Sequence, residues 1–324
     1  MHSIRFAAGW ILVVATCITL VSAQTTTKKK QTSKSKAAAI AKAKADSIAA
    51  AAKADSLRKV AQAKALADSL KRVDSLAKAA ADSAKQFRWR KIENNAYAVG
   101  ERLVFDVSYG PITAGEAVMA IPRLETIAGR TTYRVEFSVN SLSTFDWIYT
   151  VRDRYLTFID VEAIAPLRFE QHIREGTYKR DFTAEFDPIN GVARTTEGTF
   201  PSPPYVHDIM SAFYYARTLD YSKMKIGDHV LLYNYYRDKA YDLRVKFLGR
   251  QELEVAAGTF NTLVVEPLIM EGGLFKAEGR IVIWLTDDER KMPIRVITKV
   301  VIGSIDVELR EYSGLVGPLK SKVR

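Results

Sequence analysis

Thiol chemistry is nearly missing from this chain: its single cysteine, Cys17, lies within the first two dozen residues. Met1–Phe6 carries one charged side chain, Arg5, and Ala7–Leu20 is an apolar run too short to span a membrane. Val21-Ser22-Ala23 then places small residues where signal peptidase requires them. Residues 1–23 are expected to be a cleaved signal peptide, with a retained N-terminal anchor as the alternative. Thr16 occupies the place where a lipidated cysteine usually follows Gly, Ala or Ser, which argues against lipidation of Cys17. Cleavage after Ala23 leaves no thiol, which excludes disulfides, cysteine metal sites and a cysteine nucleophile. The expected location is therefore the periplasm or cell envelope.

Glycine and proline are absent from residues 34–86, a ribbon of Ala, Lys, Asp and Ser. Without breakers and rich in Ala and Lys, it favours helix locally. Asp55/Lys59, Asp68/Arg72 and Asp74/Lys78 set an acid four residues before a base, the favourable order on a helix surface. Large apolar residues are sparse. A heptad holds only near Leu66, Leu70, Val73 and Ala77, too short for a coiled coil. Residues 24–86 are expected to form a solvated, low-complexity linker, helical or disordered.

Net charge is confined to that ribbon. Residues 28–86 hold 13 Lys, 2 Arg and 5 Asp, giving 15 − 5 = +10, whereas residues 87–324 hold 32 basic and 32 acidic residues. Such a basic arm has the electrostatics for nucleic acid, but export removes it from the chromosome. Nucleic acid is therefore not an expected partner. An anionic cell-wall or lipopolysaccharide surface suits the charge better.

From Phe87 the composition changes to alternating β-branched and aromatic residues. Leu103/Phe105/Val107/Tyr109, Tyr133/Val135/Phe137/Val139, Leu167/Phe169/Gln171/Ile173 and Tyr178/Arg180/Phe182/Ala184 have strand periodicity. So do Tyr241/Leu243/Val245/Phe247, Ile294/Val296/Thr298/Val300 and Ile305/Val307/Leu309. Turn residues separate these runs, and no regular helical segments alternate with them. Residues 87–324 are expected to be an all-β domain: a curved antiparallel sheet, as a roll or open barrel. One helix at about 208–219 interrupts it, with Asp208 as N-cap and Ile209, Ala212, Phe213, Ala216 and Leu219 on its packing face.

The blocks GERLVFDVSYGPITAGEAVMAI (100–121), HDIMSAFYYAR (207–217), AAGTFNTLVVEP (256–267) and IVIWLTDDERKMPIRVITKVVIGSIDVEL (281–309) carry a recognisable pattern. In that order they resemble the bacterial exported family called domain of unknown function 3108, over about residues 95–312. The resemblance implies an envelope location and a curved antiparallel β architecture, and it implies no reaction. The Gly-Thr-Phe turn and the Asp-turn-Pro hairpin are also similar to sheet-plus-helix carriers of lipoproteins or lipids, an analogy at the level of fold.

Catalytic groupings are scarce. His172 lies in a strand and is expected at the surface; His229 opens a strand after Gly227-Asp228. His207, Asp208 and Ser211 are local in sequence and fit a helix start better than a triad, and no glycines frame the serine as a nucleophile elbow. Asp287, Asp288 and Glu289 read as a turn rather than a cation site. Neither a metal motif nor a phosphate-cradling glycine loop occurs, so no metal and no cofactor is expected.

Aromatic residues are plentiful, and Trp147, Tyr149, Tyr214, Tyr215, Tyr233, Tyr235 and Trp284 are the candidates to line a ligand groove, against a girdled core as the plainer reading. The expected function is non-enzymatic: an envelope protein whose β domain binds a lipid or other apolar or amphiphilic ligand. The alternative is a structural protein docking to an envelope partner, with the ribbon as spacer; a hydrolase with a dispersed site ranks last. Finally, Asp-Ser followed by a small or aliphatic residue recurs at Ser47, Ser56, Ser69, Ser75 and Ser83 and nowhere in the β domain. It resembles the O-glycosylation acceptor of exported Bacteroidota-type proteins, and those five serines are candidate sites; simple repeat chemistry on a helix surface is the alternative.

Overall fold

The computed structural model describes residues 33–236, 238–269, 280–299 and 303–324. The expected signal peptide lies outside them. The chain divides into two units at Asp74/Ser75.

The ribbon forms one helix, α1 (Ser33–Gln86, 54 residues), about 80 Å long at 1.5 Å per residue. Asp55 and Lys59 form the anticipated i,i+4 ion pair at 2.8 Å. Leu66, Leu70 and Val73, the short heptad stripe, are all exposed. The hydroxyls of Ser47, Ser56 and Ser69 donate to the carbonyls of Lys44, Lys53 and Leu66, a local bond that helical serine makes when nothing packs on it. Ser75 is exposed, and the side chain of Ser83 lies outside those described.

The β domain contains one 14-stranded antiparallel sheet. Its first meander comprises β1 (Arg102–Tyr109), β2 (Ile112–Ile127), β3 (Arg130–Ser141), β4 (Arg152–Asp160), β5 (Pro166–Glu175), β6 (Tyr178–Asp187), β7 (Val192–Thr195) and β8 (Gly198–Pro201). Its second comprises β9 (His229–Tyr236), β10 (Lys239–Val255), β11 (Gly258–Ile269), β12 (Ile281–Thr286), β13 (Pro293–Lys299) and β14 (Ser304–Ser313). Every strand pairs with its sequence neighbour except at the join of the meanders, where β1 pairs with β14. On the outer face Arg310 secures that join, bonding Asp106 of β1 (2.6 Å) and Glu116 of β2 (2.5 Å). The sheet does not close: β8 and β9 are its edges. His207 covers one step of the β9 edge, its N–H donating to the Tyr233 carbonyl and its carbonyl accepting from the Tyr235 N–H.

Between those edges runs α2 (Ile209–Ala216), packed on the inner face of the sheet. The sequence places its end at about 219. It stops earlier because Thr218 and Leu219 bond the carbonyls of Tyr215 and Ala216, i→i−3 bonds that tighten the last turn.

Arg217 caps α2 and is wholly buried with Glu101, which sits just before β1. The guanidinium donates to both Glu101 oxygens at 2.7 Å and reaches the carbonyls of Ala96 and Arg290 at 3.2–3.3 Å. The rings of Tyr97 and Tyr214 flank it, each 5.1 Å from the guanidinium carbon. One side chain thus joins α2, the segment before β1 and the β12–β13 turn. Gly314 makes room alongside: it has φ +67°, and a Cβ there would fall 1.9 Å from the Gly100 carbonyl oxygen.

Removing one partner of a buried pair strands the other charge. Arg217→Met is therefore expected to lower the unfolding free energy by about 3–5 kcal/mol in urea titrations, and Glu101→Leu/Arg217→Met to recover most of that loss. If the double variant were no more stable than the single one, the stranded charge would not be the source of the loss.

Candidate ligand-binding site

Alternation along the strands of the second meander sends one set of side chains inward: Leu243 and Val245 of β10, Val265 of β11, Ile283 and Leu285 of β12, Val296 and Thr298 of β13, Val307 of β14. Facing them, α2 presents Ile209, Met210, Ala212, Phe213 and Ala216, with Ile209/Phe213 and Ala212/Ala216 at helical i,i+4 spacing. Two of these five are alanines. The helix therefore cannot fill the space, and a cavity of about 300 Å³ remains between it and the sheet. Phe105, Met119 and Phe137 extend its wall into the first meander.

Of the 20 described residues lining it, 19 are apolar, and among them Thr298 alone carries a polar side chain. A water held in a cavity needs two to four polar partners, so this one favours hydrocarbon over water. Its volume is at the lower end of ordinary small-molecule sites, roughly 300–1,000 Å³. Among the described residues no ionisable side chain borders it.

None of the seven aromatic residues expected to line a groove borders this cavity. Trp147 is 82% exposed on the loop after β3, where its ring N–H bonds the Thr144 carbonyl at 2.9 Å. Tyr149 is exposed on the same loop and lies over Gly176. Tyr214 is buried against Tyr97, ring centres 4.8 Å apart. Tyr215 stacks on His207 at 4.8 Å. Tyr233 points outward from β9, whereas Tyr235 is buried against Phe186. Trp284 faces the outer side of β12, with Arg295 over its ring at 5.8 Å. The seven do not come together in one groove, because residue type alone does not tell which sheet face a Tyr or Trp occupies; Trp284 lines a separate surface pocket of about 440 Å³ on the outer side with Val282 and Ile297.

Polar candidates are closed off. Asp208 occupies the N-cap of α2, accepting from the N–H groups of Met210 (2.9 Å) and Ser211 (3.0 Å) and from the Thr157 hydroxyl (2.8 Å). Its carboxylate serves the helix start and Thr157, so His207 and Ser211, 3.3 Å apart, lack an acid to orient the imidazole. All three are buried, and burial raises the Asp208 pKa. His172 bonds Asp181 at 2.7 Å on a half-exposed strand, and His229 is exposed. Asp288 stabilises its own turn, accepting from Thr286, Arg290 and Ser321. Among the described residues no group of three or more His, Cys, Asp or Glu is placed to hold a metal ion.

Above the helix start, Arg90 bonds the carbonyls of Ala163 (2.8 Å) and Ile164 (3.0 Å), stacks on Tyr205 and Tyr215, and reaches within 3.4 Å of His207 Nε2. The sequence does not reveal this clasp, since its partners lie 73 to 125 positions from Arg90.

A helix plugged into one end of an open antiparallel sheet, with an apolar cavity behind it, defines a β-sheet protein of the open-barrel kind. The chain belongs to the family described as protein of unknown function (DUF3108), whose profile matches residues 104–310. Among solved structures it is similar to a β-barrel-like protein of domain of unknown function DUF1849 from Brucella abortus, at 10% identity and TM-score 0.45, covering 68% of this chain and 98% of that one. It is also similar to a provisionally designated lipoprotein from Parabacteroides distasonis, at 11% identity and TM-score 0.33, covering 70% and 100%. A third is a provisionally designated exported protein with a YmcC-like fold from Bacteroides fragilis, at 12% identity and TM-score 0.29, covering 69% and 100%. No curated protein matches the chain.

Burial, and secondarily the Arg90 charge, pushes the His207 pKa down to about 3. An unfolded histidine takes its proton near pH 6.5, so protonation favours the unfolded chain. His207 thus contributes a loss of stability that begins as pH falls below about 6.5 and continues to about 3, on the order of 4 kcal/mol in all. Asp208, with its raised pKa, opposes this at the acid end. Urea midpoints measured from pH 7 to 4 are expected to fall more steeply for the native protein than for His207→Gln; parallel curves would contradict the buried neutral imidazole.

Proposed function

We propose that this is a non-enzymatic, exported envelope protein that holds an apolar or single-chain amphiphilic ligand between α2 and the inner face of β10–β14. The observation that carries the reading is the composition of the cavity: among the described residues, 19 apolar side chains, one hydroxyl and no ionisable group line it. Each buried methylene contributes about 0.8 kcal/mol to such a complex before the costs of association. Among the described lining residues there is no acid or base to activate a reaction, and the one hydroxyl, Thr298, has no partner there to deprotonate it. The leader-like residues 1–23 and the thiol-free remainder support export.

Protein purified natively without detergent is expected to release a stoichiometric lipid or other apolar compound into organic solvent, read by mass spectrometry. Ala212→Leu and Val296→Phe fill the cavity from opposite walls, and each is expected to lower occupancy roughly tenfold while overpacking costs about 1–3 kcal/mol of stability. Empty wild-type protein that also fails to bind a fluorescent fatty acid would overturn the reading.

A further inference from the structure

Exposed apolar side chains of the β domain are distributed unevenly. Among the described residues 16 are large and exposed, and nine of them lie at one end of the sheet, the end opposite α2: Tyr109, Ile112, Leu142, Trp147, Ile148, Tyr149, Tyr178, Leu268 and Ile305. Eight of these belong to neighbouring strand ends and the loop 142–151, in the continuous order β6 to β1 and then β14. Tyr149 closes over Gly176 in the β5–β6 turn, and the Leu142 N–H bonds the Ala114 carbonyl of β2, so the loop is tied to strands on both sides.

This rim continues from the cavity. Val307 lines the cavity and pairs with Val107; two residues further along the same face, Ile305 pairs with Tyr109, and Tyr109 pairs with Ile112. An apolar strip therefore runs from the cavity wall to the exposed edge.

We propose that this rim docks on the surface of an anionic phospholipid membrane. Trp and Tyr with adjacent aliphatic residues are the side chains that settle at a membrane–water interface, where a ring buries its body and keeps its polar edge wet. Trp147 and Ile148, 82% and 62% exposed, are the deepest anchors. Charge favours the same partner. At this end of the sheet Asp146 is paired with Arg152 at 2.5 Å, Asp181 with Arg174 and Asp306 with Arg295. The exposed Lys179 and Lys239 stand beside Glu175 and Asp238, so even with the exposed Lys299 the rim itself is near charge balance, and the attraction rests on the arm. The same chain carries the +10 of residues 28–86, which draws it to anionic lipid. The docking goes beyond the ligand reading and holds whether or not the cavity takes up lipid.

The test is co-sedimentation of the full-length protein with vesicles of phosphatidylcholine containing phosphatidylglycerol. Trp147→Ser/Ile148→Ser is expected to weaken binding roughly tenfold or more, given the apolar area removed, with no change in melting temperature. Ile226→Ser, an equally exposed site at the opposite end, is expected to leave binding unchanged. Equal binding by the double variant, or no vesicle binding by the native protein, overturns the proposal. So does self-association that the double variant abolishes in the absence of vesicle binding, which would make the rim a contact between copies. Ligand extraction from the double variant separates the two readings, because its cavity is untouched.

Discussion

The fold depends on one buried interaction, the pair between Glu101 and Arg217. Two full charges without solvent contact survive only if each finds its partner and nearly all donors are satisfied. Here the guanidinium is held by two carboxylate oxygens and by backbone carbonyls of Ala96 and Arg290. Those four groups belong to the segment entering β1 and to the turn that joins β12 and β13, and Arg217 itself ends α2. Among the described strands the two meanders are hydrogen-bonded to each other where β1 pairs with β14, and Arg217 reinforces that junction from the end of α2. It fixes the helix against the sheet at a set height.

A helix held by a charge at its end need not be held by tight packing along its length. That separation allows Ala212 and Ala216 to face the sheet without collapse of the gap, leaving a cavity of about 300 Å³. At the helix start the opposite applies: Asp208, Thr157, His207 and Arg90 form a satisfied polar cluster with no opening to a substrate. The polar chemistry of this molecule is spent on placing α2, and the space that results is apolar.

Much of the architecture is legible in the sequence. Strict alternation in runs such as Leu243/Val245/Phe247 and Ile305/Val307/Leu309 has one structural solution, a strand with one face buried, and Asp208 before Ile209 marks the helix start. The cavity was visible only as periodicity: Leu243, Val245, Val296, Thr298 and Val307 read as core, and whether a core face is filled depends on what lies across from it. Aromatic counting pointed elsewhere because Tyr233 and Tyr235, two residues apart on β9, differ in depth of burial rather than in chemistry. Glu101 and Arg217 both stand in blocks that carry the family resemblance, yet they are 116 positions apart, and nothing local announces that they meet.

The most direct measurement of the central claim is a crystal structure of the natively purified protein prepared without detergent. The account predicts Arg217 in bidentate contact with Glu101 and elongated, unbranched density between Ala212 and Ala216 on one side and Val245 and Val296 on the other. A helix settled onto the sheet with no space beneath it, or a chain of ordered waters in place of that density, would contradict it.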